Sequence, residues 1–395
     1  MVQTGLDRLL DDQRQGRASA LVRGRRVGLL CHPAAVDRQL RHASEVLIAA
    51  GARLVALFAP EHGIDGAAQD MIGVESAQHP RLGVPVHSLY GHTLAALTPR
   101  PEWLRELDLL VVDLQDVGSR YYTFVWTMLL TLRVCATTGT PVLVLDRPNP
   151  LGGETIEGPS IAPGFESFVG LHPLPVRHGL TIGELARLTR AELQLDLELE
   201  VLPLRGWQRD QRFAATGLPW VLPSPNMPTL DTALAYPGGC LLEGTNLSEG
   251  RGTTRPFELV GAPWIDGARL AADLTALALP GAAWRPQGFV PSFHKHQGQS
   301  CGGVQLHVTD ARSFAALRSG VALLASLWRQ APESCAWRTE RYEFVDDRPA
   351  IDLLAGGPWL REGIDAGATL DQLTADWAAA EQTFALRRRP SLLYD

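Results

Sequence analysis

The stretch LDLLVVDLQDVGSRYYT, residues 107–123, decides the fold. Leu107 to Leu114 reads as a strand without polar alternation, because Leu109, Leu110, Val111 and Val112 run together. Such a strand must be covered on both faces, which is the habit of parallel sheets. A long apolar helix follows, over Tyr122 to Thr137. Working outward, the same alternation recurs. Strands are expected at Arg26 to Leu30, Leu54 to Phe58, Pro85 to Leu89, Pro141 to Leu145 and Leu197 to Leu202. Helices are expected at Ala43 to Ala50 and Thr181 to Leu193, the latter opened by a Thr181/Glu184 capping box. The fold class is therefore α/β, with a Rossmann-like parallel-sheet N-terminal domain.

The strand ends carry the functional signal. Each expected strand runs into a polar cluster: Cys31-His32-Pro33, Pro60-Glu61-His62-Gly63, Ser88-Leu89-Tyr90-Gly91, Asp113 through Arg120, and Asp146-Arg147-Pro148-Asn149. In a parallel sheet these ends share one edge, and ligands of open α/β sheets bind there. Helix capping accounts for any single Asp or Asn, but poorly for the whole set. The first turn, LLCHPAAVD, contains no glycine, so the dinucleotide fingerprint is missing.

From 217 to 263 the chain is dense in Gly, Pro, Ser, Thr and Asn and reads as a long functional loop. A strand at Gly303 to Val308 and a helix at Ala311 to Arg329 follow. The boundary is placed near 233. It divides residues 1–232 from an α+β C-terminal part, 233–395.

Composition narrows the partners. The 395 residues carry 36 basic and 43 acidic side chains, a net charge of −7, and 45% are hydrophobic. Such a chain buries a sizeable core and is a poor general nucleic-acid binder. The N-terminal stretch MVQTGLDRLLDDQRQGRASALVRG has no apolar segment of a secretory signal, and no run is long enough to span a membrane. The five cysteines are scattered without a CxxC pair. A cytoplasmic protein without membrane or nucleic-acid partners is expected.

Histidines are numerous, but there is no HExxH, and HxH occurs only at His294-Lys295-His296. Asp113 with Asp116 is the best divalent-ion candidate, and a metal-assisted hydrolase stays open as a rival. A non-catalytic amino-sugar-binding protein is a second rival. No GxSxG elbow is present. Carboxylate chemistry fits better: Glu61 ends a strand, and Glu243 and Glu249 flank Gly244 to Ser248. Glycoside hydrolysis needs a proton donor and a second group at the sugar. Tyr90, Tyr121, Tyr122 and Trp220 offer apolar faces to a pyranose, and Gln115, Asn149, Asn226 and Asn246 offer amides.

These residues lie in motifs that carry a likeness. PEHG (60–63), SLYG (88–91), DLQDVGSRYYT (113–123), DRPNPLGG (146–153), RHGLTIGEL (177–185), PSPNMPT (223–229), EGTNLSEGRGTTRPFE (243–258) and CGGVQLHV (301–308) occur in this order. Together they resemble the exo-β-N-acetylmuramidase family of the NamZ type, over nearly the whole chain. The resemblance implies a catalytic Rossmann-like domain, 1–232, a smaller C-terminal domain, 233–395, that completes the active-site cleft between them, and release of N-acetylmuramic acid from non-reducing ends of peptidoglycan fragments; no metal and no other cofactor is expected. It implies that Glu61 is the catalytic acid. On that footing His62 and Tyr90 would orient it, and Asp116 or Glu249 would be the second carboxyl. Arg120, Arg251 or Arg255 would pair with the lactyl carboxylate of a muropeptide or related saccharide. A cytoplasmic setting points to cell-wall recycling.

Overall fold

The computed structural model describes residues 1–11 and 18–395. Residues 12–17, part of the N-terminal stretch read above for its lack of a signal, lie outside the described residues. The first half of the chain contains α1 (Gly5–Asp11), β1 (Arg26–Cys31), α2 (Ala43–Ala49), β2 (Arg53–Ala59), β3 (Ala77–Gln78) and β4 (Pro85–Ser88). It continues with α3 (Pro101–Arg105), β5 (Leu109–Asp113), α4 (Phe124–Thr138), β6 (Val142–Leu145), α5 (Ile182–Glu192) and β7 (Leu199–Leu202). The seven strands form one sheet in the order β3-β4-β2-β1-β5-β6-β7. All neighbours are parallel except β3, which pairs antiparallel with β4. Without that short edge strand, the order is the doubly wound Rossmann order, and the chain reverses direction across the sheet between β1 and β5.

Period-two side-chain alternation explains why both faces had to be covered. Leu109, Val111, Leu143 and Leu145 join one buried cluster, with α1 and α2. Leu110, Val112, Val142 and Val144 join the other, which holds residues of α4 and α5. Helix α4 is buried on nearly every side, which its apolar run from Phe124 to Leu132 requires. The Thr181/Glu184 capping box is present at α5. Among the described residues no helix is long and apolar enough to cross a membrane.

The second half contains α6 (Leu230–Gly239), β8 (Leu259–Ala262), α7 (Gly267–Ala276), β9 (Ala282–Pro286) and β10 (Gly302–Val308). Then come α8 (Ala316–Gln330), α9 (Ala350–Ala355), α10 (Trp359–Asp365), α11 (Leu370–Leu373) and α12 (Trp377–Arg388). A three-stranded antiparallel sheet has the order β8-β10-β9. Its residues share one apolar cluster with α4 and α5, so the core is continuous across the chain: Leu185, Val304, Leu324 and Phe384 belong to it together. The tail returns to the first sheet. Arg388 donates to the carbonyls of His178 (2.9 Å) and Gly179 (2.7 Å), and the Tyr394 hydroxyl donates to Asp146. Burial pushes the Asp146 carboxyl up to about 7, against the donors Tyr394, Gly183 and Thr181.

The segment 217–263 is not one loop, because α6 and β8 lie within it. Its Tyr236-Pro237-Gly238-Gly239 run reads as a breaker, yet it is the end of a helix. The glycines are there for packing. A methyl group on Gly320 of α8 would lie 2.3 Å from the Gly238 Cα, so the two backbones touch. Gly320→Ala is therefore expected to destabilise the protein by about 1–3 kcal/mol or more, as overpacking of a tight contact does. A denaturant midpoint unchanged from wild type would contradict this account of the α6–α8 crossing. The helix expected from Ala311 starts only at Ala316, because Asp310 turns the chain by accepting from Arg312 N–H and the Ser313 hydroxyl.

Candidate active site

The polar clusters at the strand ends do share one edge, but they divide into two groups. At the ends of β1, β5 and β6 they satisfy one another. Arg147 forks onto Asp113 (2.5 and 2.9 Å), and His32 Nε2 accepts from Gln115 N–H (2.8 Å). Beside them lies one pocket, lined by Val36, Gln115, Arg147 and Trp220. The end of β2 opens on another, which holds more carboxyl groups.

Glu61 stands two residues beyond β2, where His62 (φ 72°) and Gly63 (φ 78°) are both left-handed. For His62 this conformation is unfavourable, and its ring holds the turn: Nδ1 donates to Ala68 O at 2.8 Å. The loop beyond then gives Met71 N–H to Glu61 Oε1 (3.2 Å). The Thr123 hydroxyl donates to Glu61 Oε2 (2.8 Å). Thr123 precedes α4, and its side chain makes no cap bond to that helix, being turned to Glu61 instead. Tyr121, Phe124, Tyr236 and Phe257 give the pocket apolar walls. The Tyr121 hydroxyl donates to Pro237 O (2.7 Å), tying the β5 end to α6.

The second half of the chain supplies the opposite wall. Arg251 donates to Glu243 (2.7 Å) and lies 3.3 Å from Asp70 and 3.4 Å from Glu249. Tyr342 donates to the other oxygen of Glu243 (2.7 Å). Burial works against the Arg251 charge, but Glu243, Asp70 and Glu249 outweigh it and hold the guanidinium protonated. Burial pushes the Asp70 carboxyl up, with Arg251 opposing and Glu243 adding. Four carboxyl side chains, Glu61, Asp70, Glu243 and Glu343, thus line a pocket with one arginine.

Of the residues expected at the site, the structure brings Glu61, His62, Tyr121, Tyr122, Asn226, Glu243 and Arg251 to this pocket. Asn226 donates to Gln69 (2.7 Å), on the loop that follows Glu61. The others do not line it. Arg120 is fully buried and donates to three carbonyls, of Pro159, Leu174 and Leu354, so no fork is left for a ligand carboxylate. Burial pushes its guanidinium down to about 10. Asp116 turns to Gly118 N–H (2.7 Å) and His178 Nε2 (3.5 Å). Asn149 bridges Leu151 N–H and Leu180 O, and Asn246 bridges Ala336 N–H and Ser334 O. Both amides are turn braces. Arg255 is half exposed beside Asp231 and Glu258 in a separate surface pocket.

Glu249 lies behind Arg251. Burial pushes its carboxyl up, but Lys295 (2.9 Å), His294 (3.1 Å) and Arg251 hold it well below the usual range. It is an ionised anchor, not a proton donor. Lys295 is partly buried and also donates to the carbonyls of Leu242 (2.9 Å) and Leu247 (3.1 Å). The Tyr90 hydroxyl does not reach Glu61; it donates to both oxygens of Glu343 (3.1 and 3.3 Å). Glu343 and Asp70 were not singled out in the sequence, because neither lies in a recognised motif. Among the described residues no group of three or more His, Cys, Asp or Glu is arranged to hold a metal ion. Asp113 and Asp116 face Arg147 and His178 respectively.

Fold and pocket together define an α/β protein whose site for a small polar ligand combines carboxyl groups with aromatic walls, beside the carboxyl edge of a doubly wound sheet. More narrowly, the chain belongs to the exo-beta-N-acetylmuramidase NamZ family. Residues 27–231 match its N-terminal part and residues 234–394 its C-terminal part. The peptidoglycan beta-N-acetylmuramidase NamZ of Bacillus subtilis (strain 168) is 43% identical over 394 residues, covering 100% of this chain and 91% of that protein. Two solved structures of DUF1343 family proteins from Bacteroides fragilis NCTC 9343 share the fold. They superpose with TM-scores of 0.89 and 0.78 at 31% and 27% identity, each covering 100% of this chain and 99% of its own.

Proposed function

We propose that this chain is a glycoside hydrolase that releases N-acetylmuramic acid from the non-reducing end of peptidoglycan fragments. Glu61 is its proton donor. The observation that carries the reading is the placement of Glu61: a buried carboxyl, gripped by Thr123 and Met71, in a pocket with aromatic walls. Membership of the exo-muramidase family supports the substrate class. Residues 1–232 act as the catalytic domain and 233–395 complete the cleft. Glu243, Arg251, Tyr342 and Glu343 support that division, although α6 runs across residue 233. Arg251, the one arginine lining the pocket among the described residues, is the partner of the lactyl carboxylate. His62 keeps the Glu61 turn in place, and Tyr121 and Asn226 contact the sugar. The reaction belongs to cell-wall recycling in the cytoplasm, a setting supported by the five cysteines all being unpaired.

The test is product analysis. The purified protein is incubated with the disaccharide N-acetylmuramyl-β-1,4-N-acetylglucosamine and with longer fragments ending in either sugar. Free N-acetylmuramic acid should appear only from fragments with that sugar at the non-reducing end. Interior cleavage would overturn the exo mode. Binding of the sugar without any product would make the chain a binding protein instead.

A further inference from the structure

We infer that Glu343 is the second catalytic carboxyl, facing Glu61 from the C-terminal half of the chain. This deepens the hydrolase reading above and rests on it. Two independent features of the fold converge on this residue. The first is position. Glu343 and Glu61 line the same pocket, and Tyr90 presents its hydroxyl to both Glu343 oxygens. Of the carboxyls lining that pocket, Glu243 is held by Arg251 and Asp70 lies beside it, whereas among the described residues no ion pair engages Glu61 or Glu343.

The second is backbone. Tyr342 and Val345 exchange both backbone hydrogen bonds (2.9 Å each) around Glu343 (φ 44°) and Phe344 (φ 69°). Two positive φ values are the pattern of a turn usually made by Asn-Gly. With Glu and Phe there, the conformation costs on the order of 1–3 kcal/mol per residue and persists only where the surroundings impose it. The Tyr90 ring packs on Phe344 (5.7 Å), and Arg341 stacks on the same ring (5.6 Å). The strained turn is thereby clamped with its carboxyl at the pocket.

Glu343 is faced by Glu61, Tyr90, Glu243 and Asp70. Burial, and then the charge of Glu61, pushes its carboxyl well above the usual range. Burial with Glu61 and Glu343 likewise raises the Tyr90 phenol, so Tyr90 remains a donor. Like carboxyls lining one pocket disfavour double ionisation, so the site carries a proton for the reaction. In the reaction Glu61 gives that proton to the glycosidic oxygen as the C1–O bond breaks, and the aglycone leaves as an alcohol. Water supplies the new oxygen at C1, and its proton passes to ionised Glu343. The pair ends with one proton, as it began, and transfer between the two carboxyls restores the start.

The test uses the full chain and a chromogenic aryl β-N-acetylmuramide. Glu343→Gln should lower kcat by roughly a hundredfold to ten-thousandfold while binding of N-acetylmuramic acid is kept. The acidic limb of its kcat/KM profile should vanish, since that limb reports the proton acceptor. Sodium azide should restore part of the turnover of Glu343→Ala and give the glycosyl azide, an outcome that a purely structural role does not produce. A Gln variant within about threefold of wild type, with its acidic limb intact, overturns the inference. Should that variant not fold, Glu343→Asp decides: a lowered kcat at unchanged KM supports the role, and an unchanged kcat ends it. If wild type releases no sugar, the hydrolase reading itself has failed. An inactive variant beside an active wild type leaves that reading standing.

Discussion

Glu61→Gln should lower kcat on the disaccharide by roughly a hundredfold to ten-thousandfold, with KM close to that of wild type. Gln keeps the shape of Glu and an oxygen for the Thr123 hydroxyl or Met71 N–H, so the pocket stays in place. What it loses is a proton that can be given away. The loss should depend on the leaving group. An acidic phenol departs without protonation, so the same variant should be far less impaired on an activated aryl β-N-acetylmuramide than on the disaccharide. A substitution that merely loosened the fold would slow both substrates alike. Equal losses on the two substrates, or near-normal turnover of the disaccharide, would remove Glu61 from the role of acid. Glu61→Ala is the poorer experiment, because it leaves two buried donors without an acceptor.

Most of the α/β sheet was legible because its signals are local. Leu109 to Val112 must be covered on both faces, and no neighbour in the chain changes that. Glu61 was legible for a related reason: a polar cluster after a buried strand is placed by the strand itself. The signals that misled are those whose meaning depends on distant chain. Tyr236-Pro237-Gly238-Gly239 reads as a turn until Gly320 is seen against it. Arg120 and Asn149 sit in recognised motifs beside strand ends, yet both are spent on backbone groups far away in sequence. Glu343 and Asp70 reach the pocket only because the second half of the chain folds against the first and the loop after Glu61 closes back on it. The contact between Tyr90 and Glu343 spans 253 residues, and no spacing rule covers that distance.

Charge gives the remaining case, since a net −7 protein with an acidic pocket is asked to hold an anionic sugar. On the proposed reading Arg251 meets that anion, and Arg251→Ala should be the most damaging single change to stability at the site. Glu243, Asp70 and Glu249 all face it; Lys295 and His294 relieve Glu249, and His294 also lies 4.0 Å from Asp70, so Glu243 depends most on the guanidinium. Removing the guanidinium leaves the buried Glu243 without its cation and Asp70 with only the more distant His294. Breaking a buried pair in this way costs about 3–5 kcal/mol. The deficit should also depend on pH. Burial already raises the Asp70 carboxyl against the opposing charge of Arg251, so without Arg251 it titrates further above its unfolded value. Stability is then retained below the unfolded carboxylate range and lost as pH rises through the new folded value. Unfolding midpoints should accordingly differ little between variant and wild type near pH 4 and diverge by pH 7. Arg251→Lys separates the two duties of the residue. A single ammonium still neutralises the cluster but offers no fork. It should recover much of the thermal stability while N-acetylmuramic acid binds more weakly than to wild type. If N-acetylglucosamine, which lacks the lactyl group, loses as much affinity as N-acetylmuramic acid, Arg251 is a brace for the pocket and not the partner of the carboxylate.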